Sequence, residues 1–172
     1  MDNSNLFIEG QRLSAVKKRM ARDLKDAIDN RIIDHGWQPD YGRLHALVCG
    51  DHSEIGVANL WGSPPPYDSF WRIVESKGFK VTTYDKSPNG TEKKVDVAIA
   101  YQMTKDAFTL IDRTKSEITL VSGDKDFVPV VEDLKKEGFR VCVAFWAHAA
   151  RELRHVSSSF FDLDPWHGHL TR

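Results

Sequence analysis

A chain of 172 residues, 41% hydrophobic and 28% charged, has the composition of a soluble globular protein and the length for one well-buried domain rather than two. Its formal net charge of -1 excludes a generally basic nucleic-acid binder, so such a partner must be met by a local patch. Cys49 and Cys142 lie far apart in apolar runs, as free thiols in a reducing compartment do. With no CxxC, no signal peptide and no long apolar span, the expectation is a cytoplasmic protein with no membrane partner and no zinc site.

Leu6-Phe7-Ile8, ending in Glu9-Gly10, reads as a first strand with an acid at its carboxyl end. From Leu13 the spacing turns helical through Val16, Met20, Leu24, Ala27 and Ile28. The opposite face carries Arg12, Lys17, Lys18, Arg19, Arg22 and Lys25, and such a face is ordinarily just solvated. Gly36-Trp37-Gln38-Pro39 breaks the chain, and Leu44 to Cys49 reads as a second strand ending at Gly50-Asp51-His52. The stretch with Trp61 and Pro64 to Pro66 reads as a loop longer than a strand-to-helix connection needs, able to stack on bases or on a partner. Asp68 to Lys77 is expected as a helix closed by Gly78, Phe79 to Tyr84 as a third strand, and Ser87-Pro88-Asn89-Gly90 as a turn flanked by Lys86, Lys93 and Lys94. Val95 to Met103 reads as a largely buried helix with Asp96 near its start, where an acid also suits the helix dipole.

Residues 117–127, Glu-Ile-Thr-Leu-Val-Ser-Gly-Asp-Lys-Asp-Phe, organise the rest. Ile118 to Val121 form a buried fourth strand that stops at Ser122-Gly123. A helix follows, with Pro129 in its first turn and Gly138 at its end. Asp124 and Asp126 thus fall at the carboxyl edge of a strand, where open α/β sheets keep their ligands. Asp is also a common N-cap, so capping alone accounts for one of the two. Val141 to Phe145 is a fifth strand, followed by a helix through about Leu153; Phe160 to Leu163 is a last strand or an apolar strap, and Trp166 to His169 a loose tail. The alternation of strand and helix argues for a single α/β domain, core about 5–163 with a tail over 164–172, built on a mainly parallel sheet of five to six strands covered on both faces.

Glu9, Asp96, Asp124 and Asp126 then share one rim. Like charges brought together are costly unless a cation relieves them, so a shared rim favours Mg2+ or Mn2+ over separate caps. An ion there suits hydrolysis of a phosphodiester.

Phe7-Ile8-Glu9-Gly10-Gln11-Arg12, Lys94-Val95-Asp96-Val97-Ala98-Ile99-Ala100 and Leu120-Val121-Ser122-Gly123-Asp124-Lys125-Asp126-Phe127-Val128-Pro129 resemble the three motifs of the NYN domain, in the LabA-like branch of the PIN-like nucleases. The resemblance runs from about Leu6 to Leu163. It implies a three-layer α/β/α sandwich and metal-dependent cleavage of RNA, single-stranded RNA above all. It also implies that Glu9, Asp96, Asp124 and Asp126 are catalytic and metal-binding. Arg12, Ser122, Lys93 and Lys94 are expected on the substrate side, the lysines as phosphate contacts and Ser122 as a hydrogen-bonding support. The chain departs from the pattern in three places: the family usually has Asp at the position of Glu9, Asn at that of Arg12, and often Asp at that of Gln102.

Arg12 suits phosphate and carboxylate alike. Two readings follow: an active ribonuclease in which Arg12 meets the scissile phosphate, or a module in which Arg12 pairs with Glu9 and the fold grips RNA or a protein without cutting. A homodimer through exposed aromatics is compatible with either. A Toprim-like domain leaves Asp96 without a role, and a haloacid-dehalogenase-type phosphatase needs an Asp-x-Asp that Glu9-Gly10-Gln11 does not supply.

Overall fold

The computed structural model describes residues 1–50, 55–63, 68–84 and 93–172, with the side chains of Asp68, Lys93 and Lys94 outside the described part. Asp51-His52, Pro64 to Pro66, Lys86 and the Ser87 to Gly90 turn also lie outside the described residues.

The segment expected as the first strand is helical. Asp2, in extended backbone, accepts the Asn5 N–H at 3.1 Å and so starts α1 (Asn3–Lys17). Leu6, Gly10 and Leu13 are buried at helical spacing, and a three-residue apolar run was too short a window to show that period. The long amphipathic helix expected from Leu13 is two helices. α1 stops at Lys17, Arg19 turns the chain at φ 59°, and Asp23 caps α2 (Leu24–Asp29). The second expected strand is also a helix, α3 (Tyr41–Cys49), because Asp40 accepts the N–H groups of Gly42 and Arg43 at 2.9 and 3.0 Å.

Strands begin later. β1 (Asn59–Gly62) occupies part of the expected loop, and its Trp61 is buried rather than free to stack. α4 (Asp68–Glu75), β2 (Lys80–Thr83), α5 (Lys93–Thr109) and β3 (Glu117–Leu120) follow. A 3-10 turn at Lys125–Phe127 runs into α6 (Val128–Lys136), and β4 (Arg140–Phe145), α7 (Arg151–Val156), β5 (Ser159–Asp162) and α8 (His167–Leu170) complete the chain.

β1 and β2 pair in parallel, as do β3, β4 and β5 in that order. Met1 and Asp2 stitch the two sheets together: Trp61 N–H donates to the Met1 carbonyl and Asp2 N–H to the Val121 carbonyl, each at 3.0 Å. Neighbouring strand residues then point to opposite sides. Leu60, Val121 and Ala144 join a core with Leu6 and Leu13 of α1, Leu44 of α3 and Val74 of α4. Trp61, Leu120 and Val143 join another with Val95, Ile99 and Met103 of α5, Val131 and Leu134 of α6 and Leu153 of α7.

The segment expected as a loose tail packs into the first core. His167 stacks on the buried Trp37, with ring centroids 5.3 Å apart, and Leu170 is buried. Trp37 sets its edge on Trp146 and donates its indole N–H to Thr171 Oγ1 at 2.9 Å. Two histidines around a glycine carried no apolar period, so this docking was invisible in the sequence.

Burial, helped by the positive charge of Lys17, holds the pKa of His167 below its ordinary value. The unfolded chain therefore binds more protons as pH falls through the ordinary histidine range, and the fold loses stability there and regains it as pH rises. His167→Gln removes that dependence. The gap between wild-type and variant melting temperatures is expected to narrow from about pH 8 to about pH 5, measured by thermal unfolding across that range.

Candidate metal centre

Three of the four expected acids converge. Asp96, in the first turn of α5, and Asp124 and Asp126, in the turn after β3, each offer a carboxylate oxygen, and the three lie within 4.8 Å of one another. Asp96 and Asp124 are half-buried and Asp126 is exposed, so the group opens to solvent on one side.

The turn that carries two of them is built from the backbone outward. β3 delivers Val121 and Ser122 into the interior, and a Cβ at Gly123 would run into the ring of Phe145 on β4, so only glycine lets the chain pass there. Asp124 then caps the 3-10 turn: its Oδ1 accepts the Asp126 N–H at 2.9 Å. Capping and convergence are thus not rivals. One oxygen of Asp124 closes the turn, and the same carboxylate stands in the acidic group.

The turn is braced by a residue that sequence reasoning missed. Asn5, in the first turn of α1, accepts the Gly123 N–H at 2.9 Å and the Ser122 hydroxyl at 3.3 Å on its side-chain oxygen. Ser122 Oγ accepts in turn from the Asp124 N–H at 3.3 Å. Ser122 is fully buried, which puts it beneath the turn as a support and out of reach of a substrate. The signal was present in Asp2-Asn3-Ser4-Asn5, an N-cap acid with an amide three residues on. Asp2 and Asn5 have, at the same three-residue spacing, the residue types that Glu9 and Arg12 lack as a first motif.

Glu9 is not in the convergent group. Its carboxylate accepts from Arg12 on Oε1 and pairs with His148 Nε2 on Oε2 at 2.8 Å. Gln102 donates to Asp106 Oδ1 at 2.6 Å, in a cluster with Asn59, so its neutral amide does not mark a gap among the three acids. Lys93 and Lys94 open α5, in the same first turn as Asp96.

Carboxylates alone, with no thiolate or imidazole among them, make an oxygen donor set that suits Mg2+ or Mn2+ and not a soft metal. Compared with known families, the sequence matches the NYN domain model over residues 3–164. The chain belongs to the NYN domain family. NYN domains fall within the PIN-like nuclease superfamily, and the acidic group of this one lies at the rim where its second and third motifs meet.

A crystal structure of a protein of unknown function from Vibrio parahaemolyticus RIMD 2210633 shares the fold of this NYN chain, with a TM-score of 0.65 and 18% identity over 94% of this chain and 89% of that one. A search of curated proteins finds no match to the sequence. No helix among the described residues is long and apolar enough to cross a membrane.

Asp124→Asn keeps an oxygen for the Asp126 N–H and removes one of three neighbouring charges. In EDTA its melting temperature is expected to equal or exceed that of the wild type, because like-charge repulsion falls. Mn2+ at a hundred times its Kd is expected to raise the wild-type melting temperature by about 5 °C or more and the variant's by much less. Paired thermal melts with and without the ion make the comparison.

Proposed function

We propose that this NYN domain is a divalent-metal-dependent ribonuclease that hydrolyses RNA phosphodiester bonds at the acidic rim. The convergence of Asp96, Asp124 and Asp126 within 4.8 Å carries the reading, since three acids held together in this way fit a cation. The cofactor is Mg2+ or Mn2+, the substrate single-stranded RNA, the compartment the cytoplasm, and the architecture a three-layer sandwich in which the two parallel sheets act as one. One continuous domain spans residues 1–172.

Asp96 and Asp124, half-buried, hold the ion from two elements, and their shielding strengthens its attraction. Asp126, the exposed member, is placed to take a proton from an incoming water or to orient it. A bound divalent ion supplies positive charge for the phosphate oxygens and lowers the pKa of a coordinated water. Lys93 and Lys94, at the start of α5, supply phosphate contacts that position the strand without reading sequence. Asp2 and Asn5 serve as the first motif: Asp2 fixes the head of α1, and Asn5 fixes the turn that presents Asp124 and Asp126.

A second reading rests on one observation. Arg12 is paired with Glu9, which takes a cation away from any phosphate and one acid away from the ion. In that reading the fold binds RNA or a protein partner, as a monomer or a homodimer, and cuts slowly or not at all.

Labelled single-stranded RNA incubated with Mn2+, Mg2+ or EDTA separates the two. Wild-type cleavage is expected with either metal and not with EDTA, and Asp96→Asn and Asp124→Asn are expected to reduce it by about two orders of magnitude or more. Cleavage that survives in Asp124→Asn or in EDTA overturns the nuclease reading; retained RNA binding without cleavage in the wild type establishes the second.

A further inference from the structure

The turn that bears Asp124 and Asp126 is held in a closed circuit of contacts. Gly123 donates its N–H to Asn5 of α1 and accepts the Ala150 N–H on its carbonyl, both at 2.9 Å. Ala150 ends the short segment 146–150 that follows β4. Glu9 ties that segment back to α1 through His148, at 2.8 Å, and Trp146 donates its indole N–H to the Leu6 carbonyl at 3.1 Å. Asn5 and Glu9 are four residues apart on one helix, hence neighbours on one face about one turn apart. The circuit is therefore short: α1, Gly123, Ala150, His148 and α1 again.

Glu9 is closed off in this arrangement. Both its oxygens are engaged, one by Arg12 and one by His148, and the three side chains are only 14%, 22% and 20% exposed. Arg12 Nε and His148 Nδ1 are buried without a partner, so the trio is shut against the protein and not turned toward solvent. A carboxylate so occupied reaches an ion at Asp96, Asp124 and Asp126 only by giving up a partner. Metal and catalytic constellations tolerate displacements of well under an ångström, so a contact that sets where Gly123 sits also sets the site.

We propose that Glu9 is a positioning residue. Acting through His148 and Ala150, it fixes the Gly123 turn and thereby the metal affinity and turnover of the acidic site, touching neither ion nor substrate. The proposal rests on the metal-nuclease reading for its consequence, but its structural core is testable without metal.

The experiment measures amide hydrogen exchange at Gly123 and Asp124 in metal-free protein, and Mn2+ affinity by titration. It uses the wild type, Glu9→Ala, Glu9→Gln, His148→Ala and the Glu9→Ala/His148→Ala double variant. Glu9→Ala and His148→Ala are each expected to speed Gly123 exchange and weaken Mn2+ binding by about tenfold. The double variant should be no worse than either single one, because both break the same link. Glu9→Gln offers an oxygen to Arg12 and, with the His148 proton moved from Nε2 to Nδ1, an amide N–H to Nε2, and should stay within about twofold of the wild type.

Unchanged Gly123 exchange in Glu9→Ala and His148→Ala overturns the proposal. So does Glu9→Gln losing Mn2+ as completely as Asp124→Asn, which would make Glu9 a ligand. If Glu9→Ala does not fold, His148→Ala and Glu9→Gln decide alone. A wild type that binds no Mn2+ sinks the nuclease reading instead, and the exchange data still judge the circuit.

Discussion

The side-chain oxygen of Asn5 takes the Gly123 N–H and the Ser122 hydroxyl, and the site depends on that one acceptor. Gly123 lies where the backbone leaves β3 and enters the acid-bearing turn, packed so closely on Phe145 that no side chain fits. A backbone N–H at such a place must be paired, and a peptide carbonyl from a neighbouring strand is not the group that does it. A side-chain amide at the head of a capped helix supplies the acceptor instead. Helix α1 is thereby registered against the sheet, and Asp124 is presented at a fixed height on the rim.

Electrostatics makes this bracing necessary. Three carboxylates with oxygens within 4.8 Å of one another repel unless a cation relieves them, and two of the three sit on this one turn. Two devices hold it in place. Asp124 spends one oxygen on the Asp126 N–H, which ties the two acids of the turn into one small unit, and the Gly123 carbonyl takes the Ala150 N–H from the far side. Rigidity of this kind is what a site for a hard divalent ion requires, because Mg2+ demands near-ideal geometry from few protein ligands.

Beneath the rim, aromatic packing carries α1. Trp37, Trp146 and His167 pack on one another, and Trp146 reaches the Leu6 carbonyl with its indole N–H. Gly10 faces Trp37 so tightly that a Cβ there would collide with its ring. The last residues of the chain thus help to set the helix that braces the site, through the stacked His167 and the Thr171 hydroxyl that receives Trp37.

The sequence by itself determined the NYN family, the β3 strand with its Ser-Gly-Asp-x-Asp turn, the Asp96 helix, α6 with its proline start, and the β4 strand, because each is a run of local signals in register with its own period. It also determined Asp96, Asp124 and Asp126 as candidates, since two sit at a strand end and one at a helix start. Tertiary structure decided the first third of the chain. Leu6 to Ile8 and Leu44 to Cys49 are short apolar runs that fit a strand or a buried helix equally, and the packing of Leu6 and Leu44 into the shared core settles both as helix, with Asp2 and Asp40 as caps. It also decided that Asn5 and not Arg12 meets the turn, and that Glu9 turns to His148, 139 residues away, instead of to the other acids. Contacts across such separations leave no local period to read; only the folded chain brings their partners within hydrogen-bonding distance.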